Sequence, residues 1–210
     1  QEGADPMKEL IARIRIELQG IEPTIWREVD VPLSSTLTAL HDVIQVSMGW
    51  RGDHLFEFSV GDKIYGEPFP DDNFEERKVY KAKSIRLQTL LDRGFDKFLY
   101  VYDFGDNWCH DVIVKQARDG EIDIDYPVFV GGARRCPPED VGGSIGYEEF
   151  LEAVTDPEHE DHDRMLTWYG RPYDPNDINE RHVRMIIENF ASRRRGPLQS
   201  HQKGNRSRSD

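Results

Sequence analysis

The sequence predicts an α+β fold: a β-grasp-like α/β roll in which a mixed sheet is covered by one helix, with a small helical subdomain following it in the chain. Three observations carry this reading. The chain opens as strand, strand, helix, strand; a second strong hairpin arrives around residues 98–116; and beyond residue 126 the apolar residues change from a strand period to a helical one. With 210 residues, 37% of them hydrophobic and 32% charged, the chain can build a real core, which excludes a disordered polymer and a disulfide-stapled miniprotein.

Each element follows from local pattern. Residues 1–7 are set outside the fold as a remnant or disordered start, because the first residue is Gln and the first methionine is Met7, and the start QEGADPMKEL shows no apolar signal core. In residues 11–18, Ile14, Ile16 and Leu18 share one strand face while Arg13, Arg15 and Glu17 share the other. Gly20 to Pro23 supplies a turn, and Ile25, Val29 and Val31 mark one side of a second strand, giving a hairpin. Ser34, Ser35 and Thr36 offer helix caps before Leu37, Leu40, Val43, Ile44 and Met48, and Gly49 stops that helix. HLFEFSV turns through Gly61 and Asp62 into KIYG, another hairpin. Residues 66–83 are charged and proline-bearing and read as a long excursion before a short helix around 87–91. FLYVYDF and WCHDVIVKQ then bracket GDNW as the strongest hairpin signal in the chain. One core is expected from Ile14, Ile16, Leu18, Leu40, Ile44, Phe58 and Val112.

The roll is therefore assigned to residues 8–126. Residues 127–192 are read as a Gly/Pro-rich loop, GGARRCPPEDVGGSIG within it, followed by helices near 147–154, 160–169 and 178–192 that pack on the roll. Residues 193–210 are read as a basic flexible tail. That tail has six Lys or Arg against one acid, net +5, whereas residues 1–192 hold 21 bases and 39 acids, net −18. So acidic a body repels nucleic-acid phosphates, and nucleic acid could be contacted only through the tail. No apolar run approaches the ~20 residues that span a bilayer, so no membrane partner is expected and the cytoplasm is the expected location. Two cysteines, Cys109 and Cys136, are too few for a disulfide framework.

Several motifs carry chemistry. Asp103, Asp106, Asn107 and His110 concentrate two carboxylates, an amide and an imidazole on one hairpin, a set able to bind a hard cation or to exchange protons. The same residues are what a turn asks for, with Gly105 free to take positive φ and Phe104 and Trp108 stapling the hairpin to the core. Alternation complicates a metal role, because a buried Trp108 draws His110 inward with it, and Asp103 is expected to be buried against loop amides or Arg134 or Arg135. The Asp-Phe-Gly triplet is not a kinase signal, since no Gly-rich loop or His-Arg-Asp loop accompanies it.

Cys136 follows Arg134 and Arg135, a setting that favours thiolate, but Glu139 and Asp140 cancel the field and a small buried thiol is the favoured reading. A zinc site from Cys109, Cys136 and His110 lacks the close cysteine pair that anchors such sites. Gly142, Gly143, Ser144 and Gly146 precede a helix without a Walker lysine or Rossmann spacing and read as a close-packed turn. His159 and His162, among five acids in residues 156–163, are spaced three apart rather than as His-Glu-x-x-His, and the acids suit a helix start.

The segments IRIELQGIEPTIWREVDVP, LTALHDVIQVSMGW, HLFEFSV, YVYDFGDNWCHDVIV, CPPEDVGGSIGYEEFLEAV and DPEHEDHDRMLTWYG occur in this order across residues 8–190. Together they resemble the plasmid pRiA4b ORF-3-like family. The resemblance implies an α/β roll of unestablished biochemical role with a plasmid or mobile-element association, some members being labelled transposon resolvases. The residues give that label no support. A serine recombinase needs its nucleophile among arginines, and Ser34 and Ser35 sit in capping positions with Arg27 alone nearby.

The expected function is binding of a small ligand or protein partner on the surface between the 103–110 hairpin and the 131–146 loop. Its candidate residues are Asp103, Asp106, Asn107, Trp108, His110, Arg134, Arg135, Cys136, Glu139 and Asp140. No cofactor is identifiable and no metal is expected. The alternatives are a metal-dependent hydrolase or nuclease using Asp103, Asp106 and His110, with Asp140 as a further ligand, and a nucleic-acid-associated accessory protein of a mobile element.

Overall fold

The computed structural model describes residues 8–68 and 77–195. Its centre is β1 (Leu10–Leu18), flanked antiparallel by β2 (Trp26–Pro32) and β7 (Trp108–Asp119). With β3 (Phe56–Val60), β4 (Lys63–Gly66), β5 (Val79–Lys81), β6 (Lys97–Tyr102) and β8 (Val128–Ala133), these form one sheet in the order β5-β4-β3-β6-β7-β1-β2-β8. The sheet is mixed: β4 and β5 run parallel, and the other neighbours are antiparallel. Among the described residues five α-helices complete an α+β fold: α1 (Leu37–Met48), α2 (Leu87–Asp92), α3 (Gly143–Thr155), α4 (His162–Tyr169) and α5 (Glu180–Arg195). No helix among the described residues is long and apolar enough to cross a membrane.

α1 forms where its stripe and caps predict. Thr36 Oγ1 accepts the Ala39 N–H at 3.2 Å, and Gly49 closes the helix at φ 92°, a conformation costly for any residue with a Cβ. All seven expected core residues are buried, Ile14, Ile16, Ile44, Phe58 and Val112 completely. The same cluster takes in Phe129, Tyr147, Phe150, Val154, Tyr173, Val183 and Ile187 from the second half of the chain. On the opposite face of β1 and β2, register places Arg13 across from Asp30 and Arg15 across from Glu28. Arg13 grips Asp30 with two hydrogen bonds of 2.9 Å, which raises the affinity of its guanidinium for its proton.

Three expectations are corrected. Residues 128–133, read as the start of a loop, are the strand β8 on the β2 edge. Its glycines concealed it, yet Gly132 is required there: a Cβ would come within 2.7 Å of both Trp26 O and Arg27 Cδ. Within the 66–83 excursion, residues 79–81 add β5 to the sheet, while residues 69–76 lie outside the description. Arg193, Arg194 and Arg195, assigned to the flexible tail, are the last turn of α5. Arg194 Nε donates to Tyr126 O at 3.0 Å and Arg194 also pairs with Glu9, while Arg195 pairs with Asp125 at 2.7 Å. Residues 196–210 lie outside the description.

Candidate functional site

The hairpin and the glycine loop meet. The turn between β6 and β7 places Asp103 and Asn107 at φ 56° and 57°, left-handed positions that Asp and Asn tolerate better than most residues. Asp103 Oδ1 accepts the N–H groups of Gly105 at 2.9 Å and Asp106 at 3.3 Å, locking the turn. Asp106 Oδ2 then accepts the Gly142 N–H at 3.1 Å across the gap between the two segments. Gly143 lies so close that a Cβ there would come within 2.9 Å of Asp106 O.

A third segment, just ahead of β3, supplies His54. Its Nε2 lies 2.9 Å from Asp140 Oδ1, 3.6 Å from Asp103 Oδ2 and 4.0 Å from Glu139 Oε2. That nitrogen is shielded from solvent and makes no aligned hydrogen bond. Glu139 is held from the other side: the Tyr102 hydroxyl donates to its carboxylate at 3.1 Å, and the Arg51 N–H donates at 3.0 Å. The Tyr102 hydroxyl in turn accepts the His54 N–H at 3.3 Å, and burial together with the Glu139 charge pushes the phenol up. Trp50 fixes the loop by donating from Nε1 to Pro137 O at 2.9 Å.

His110 takes no part in this cluster. Trp108 is buried and, as alternation predicts, carries His110 inward, where it is fully buried and packs edge-on to Trp50 at 5.3 Å. Its Nδ1 lies 3.3 Å from Tyr100 O, its Nε2 has no partner, and burial lowers its pKa to about 4. The set Asp103, Asp106 and His110 therefore does not converge. Among the described residues the convergent trio is His54, Asp103 and Asp140, with ligand atoms within 4.8 Å of one another. Asp106 is committed to the glycine loop, and a strand register that buries Trp108 cannot also turn His110 toward the hairpin tip.

The arginines also depart from expectation. Asp103 is buried, but it binds the amides of its own turn, at Gly105 and Asp106, rather than those of the 131–136 segment, and neither Arg134 nor Arg135 pairs with it. Arg135 donates to Asp177 O at 2.6 Å and to Tyr169 OH at 3.3 Å, and the buried Nε of Arg134 has no partner. Cys136 is buried, and burial pushes its thiol well above the ordinary value against the pull of Arg27. Cys109 Sγ lies 3.7 Å from Asn107 Oδ1, and burial raises that thiol too. Of the pair in the acidic segment, His162 Nδ1 lies 2.8 Å from Ala153 O and His159 Nδ1 accepts the Asp161 N–H at 3.1 Å.

A cleft of about 1030 Å3 adjoins the cluster. The end of α1 with Trp50 and Arg51 forms one wall, residues 135–140 form another, and α4 and α5 contribute Trp168, Tyr169, His182 and Ile186. Glu139 and Asp140 stand at this wall, so the cleft and the trio share a border. Arg27 lines the cleft too, although it is only 1% exposed. Its Nε donates to Ser47 O at 2.6 Å and its Nη1 to Trp26 O and Ala133 O, but among the described residues no carboxylate pairs with it. Desolvation lowers its pKa, the expected response of a buried cation without a counterion.

His54, Tyr102 and Arg27 are the site residues that sequence reasoning missed. Arg27 left a signal, because in the alternation of β2 it falls on the side of Ile25, Val29 and Val31, which faces inward. His54 left none, since nothing local distinguishes it from a polar residue ahead of a strand.

Comparison with known proteins adds the lineage. The family model described as Plasmid pRiA4b ORF-3-like protein matches residues 10–182. A protein of Sinorhizobium fredii (strain NBRC 101917 / NGR234), named "Uncharacterized protein y4hQ", is 34% identical over 184 residues, covering 87% of this chain and 93% of that protein. The crystal structure of a "Protein of Unknown Function MM3350" from Methanosarcina mazei Go1 superposes with a TM-score of 0.75 at 31% identity, covering 84% of this chain and 98% of the other. Neither name specifies an activity or ligand.

Proposed function

The chain belongs to the plasmid pRiA4b ORF-3-like family, and from that premise we propose that it is a binding protein for a small organic anion, held in the cleft between the 135–140 loop and helices α4 and α5. The observation that carries this reading is Arg27. A buried guanidinium without a carboxylate is costly, and an anionic ligand would offset that cost where no side chain does. Arg171 and His182 add positive or protonatable groups to the same walls, while Trp168, half exposed, and Ile186 offer apolar surface for the rest of the ligand.

A protein partner is the less favoured occupant, because the charged residue that most needs a ligand is recessed rather than on a flat surface. Nucleic acid is less favoured still: Arg194 and Arg195 are already engaged with Glu9, Asp125 and Tyr126 O. A metal-dependent hydrolase is the alternative for the same cleft, drawing on its carboxylate wall. Turnover of a bound ester in the presence of a divalent ion would favour it over simple binding.

The test is thermal denaturation with millimolar citrate, succinate and benzoate at constant ionic strength. At least one should raise the melting temperature by mass action. The gain should vanish in Arg27→Met and shrink in Arg171→Ala, which alters an exposed rim residue. An unchanged melting temperature with every anion, or a gain indifferent to both substitutions, would remove the reading.

A further inference from the structure

We propose that His54, Asp103 and Asp140 bind a divalent first-row transition ion, Mn2+ or Zn2+, with the Glu139 carboxylate beside it. The proposal stands on the geometry of this cluster and is independent of the anion proposed for Arg27. Three carboxylates surround one imidazole, and among the described residues no lysine or arginine pairs with any of them. The nearest arginine of the segment, Arg51, is turned to Asp53 at 2.7 Å. A protonated His54 would still leave an excess of negative charge at the site.

Two atoms, one of them shielded from solvent, point into the same space. The side chain of Asp103 is only 10% exposed, and while Oδ1 is spent on the turn amides, Oδ2 makes no hydrogen bond among the described residues and faces His54 Nε2 at 3.6 Å. His54 Nε2 is itself shielded and unbonded, although Asp140 Oδ1 is only 2.9 Å away. A shielded ring nitrogen without an aligned partner is costly unless a further group satisfies it. A cation does so for the whole trio at once. Ligands at ~2.1 Å from a common ion lie at most ~4.2 Å apart. The trio's atoms, within 4.8 Å of one another, need shifts of a fraction of an ångström. One imidazole nitrogen with carboxylate oxygens suits Mn2+ or Zn2+ better than Mg2+ or Ca2+, which favour all-oxygen sites.

The experiment uses the full chain after chelator treatment and dialysis, titrated with Mn2+ under electron paramagnetic resonance and with Zn2+ by calorimetry. One of these ions should bind at a single site. Asp140→Asn should weaken it ~10-fold or more. That substitution is well suited because the Asp140 side chain is 67% exposed and its φ of 58° is tolerated by Asn, so the fold is kept. His54→Ala should do the same, and Asp106→Asn, which retains an acceptor for Gly142 outside the trio, should leave binding unchanged. Absence of binding by both ions at millimolar concentration, or binding that survives Asp140→Asn undiminished, would overturn the proposal.

Discussion

At the scale of the residue, the core holds two imidazoles in the neutral form. His41 Nδ1 lies 2.8 Å from the Tyr100 hydroxyl, which accepts a hydrogen bond from Gln45 Nε2 at 2.9 Å. The ring stacks on Phe56 at 3.6 Å. Burial lowers the pKa of both His41 and His110 from 6.5 to about 4. Between those values the unfolded chain binds more protons than the folded one, so stability rises with pH. It is complete above pH ~6.5 and is lost as pH falls toward ~4, by about 3 kcal/mol per histidine. Urea denaturation at a series of pH values should show this slope, and His110→Phe should flatten it. An equally steep slope in that variant would mean that His110 is not held neutral. Site residues were legible only where local pattern carried them. Asp103, Glu139 and Asp140 stand in recognisable turns, whereas His54 gains its meaning from segments some 50 and 86 positions away that only the folded chain brings beside it.

At the scale of the element, period and caps were enough wherever each segment had one buried face. In β1 the even positions from Ile14 to Leu18 are buried, and α1 starts at its Thr36 cap. Thr36→Ala should therefore cost ~1 kcal/mol, the usual loss when a capping oxygen is removed. Ile44→Ala should cost ~2–5 kcal/mol, since Ile44 is fully buried between α1 and the sheet and its removal leaves a cavity. Chemical denaturation of the two variants separates them; losses of equal size would show that the packing beneath α1 relaxes or that the cap does more than close the helix. β8 escaped because VFVGGA combines four apolar residues with two glycines, a composition that reads as a loop when no partner is in view. The reason for Gly132 is tertiary, the close passage of Arg27 and Trp26 O beside it, whereas a Cβ on Gly131 would meet nothing within 4 Å.

At the scale of the whole molecule, the division at residue 126 that the change of period suggests runs through a continuous core. β8 covers the β2 edge, Phe129, Phe150, Val183 and Ile187 join the buried cluster of the first half, and α5 ties back through Arg194 to Glu9 at the start of β1. A chain ending at Tyr126 would leave the β2 edge unpaired and strip that cluster of its second layer, giving an exposed apolar face and a free strand edge together. Such a fragment should lack a cooperative thermal transition and should aggregate, whereas the full chain should unfold in one step followed identically by circular dichroism and tryptophan fluorescence. A fragment 8–126 with its own sharp transition, or two separate transitions in the full chain, would establish the roll as an independent unit. The cleft would then lie between two separately folding parts, because Arg27 and Trp50 come from the first and residues 135–140 and α5 from the second.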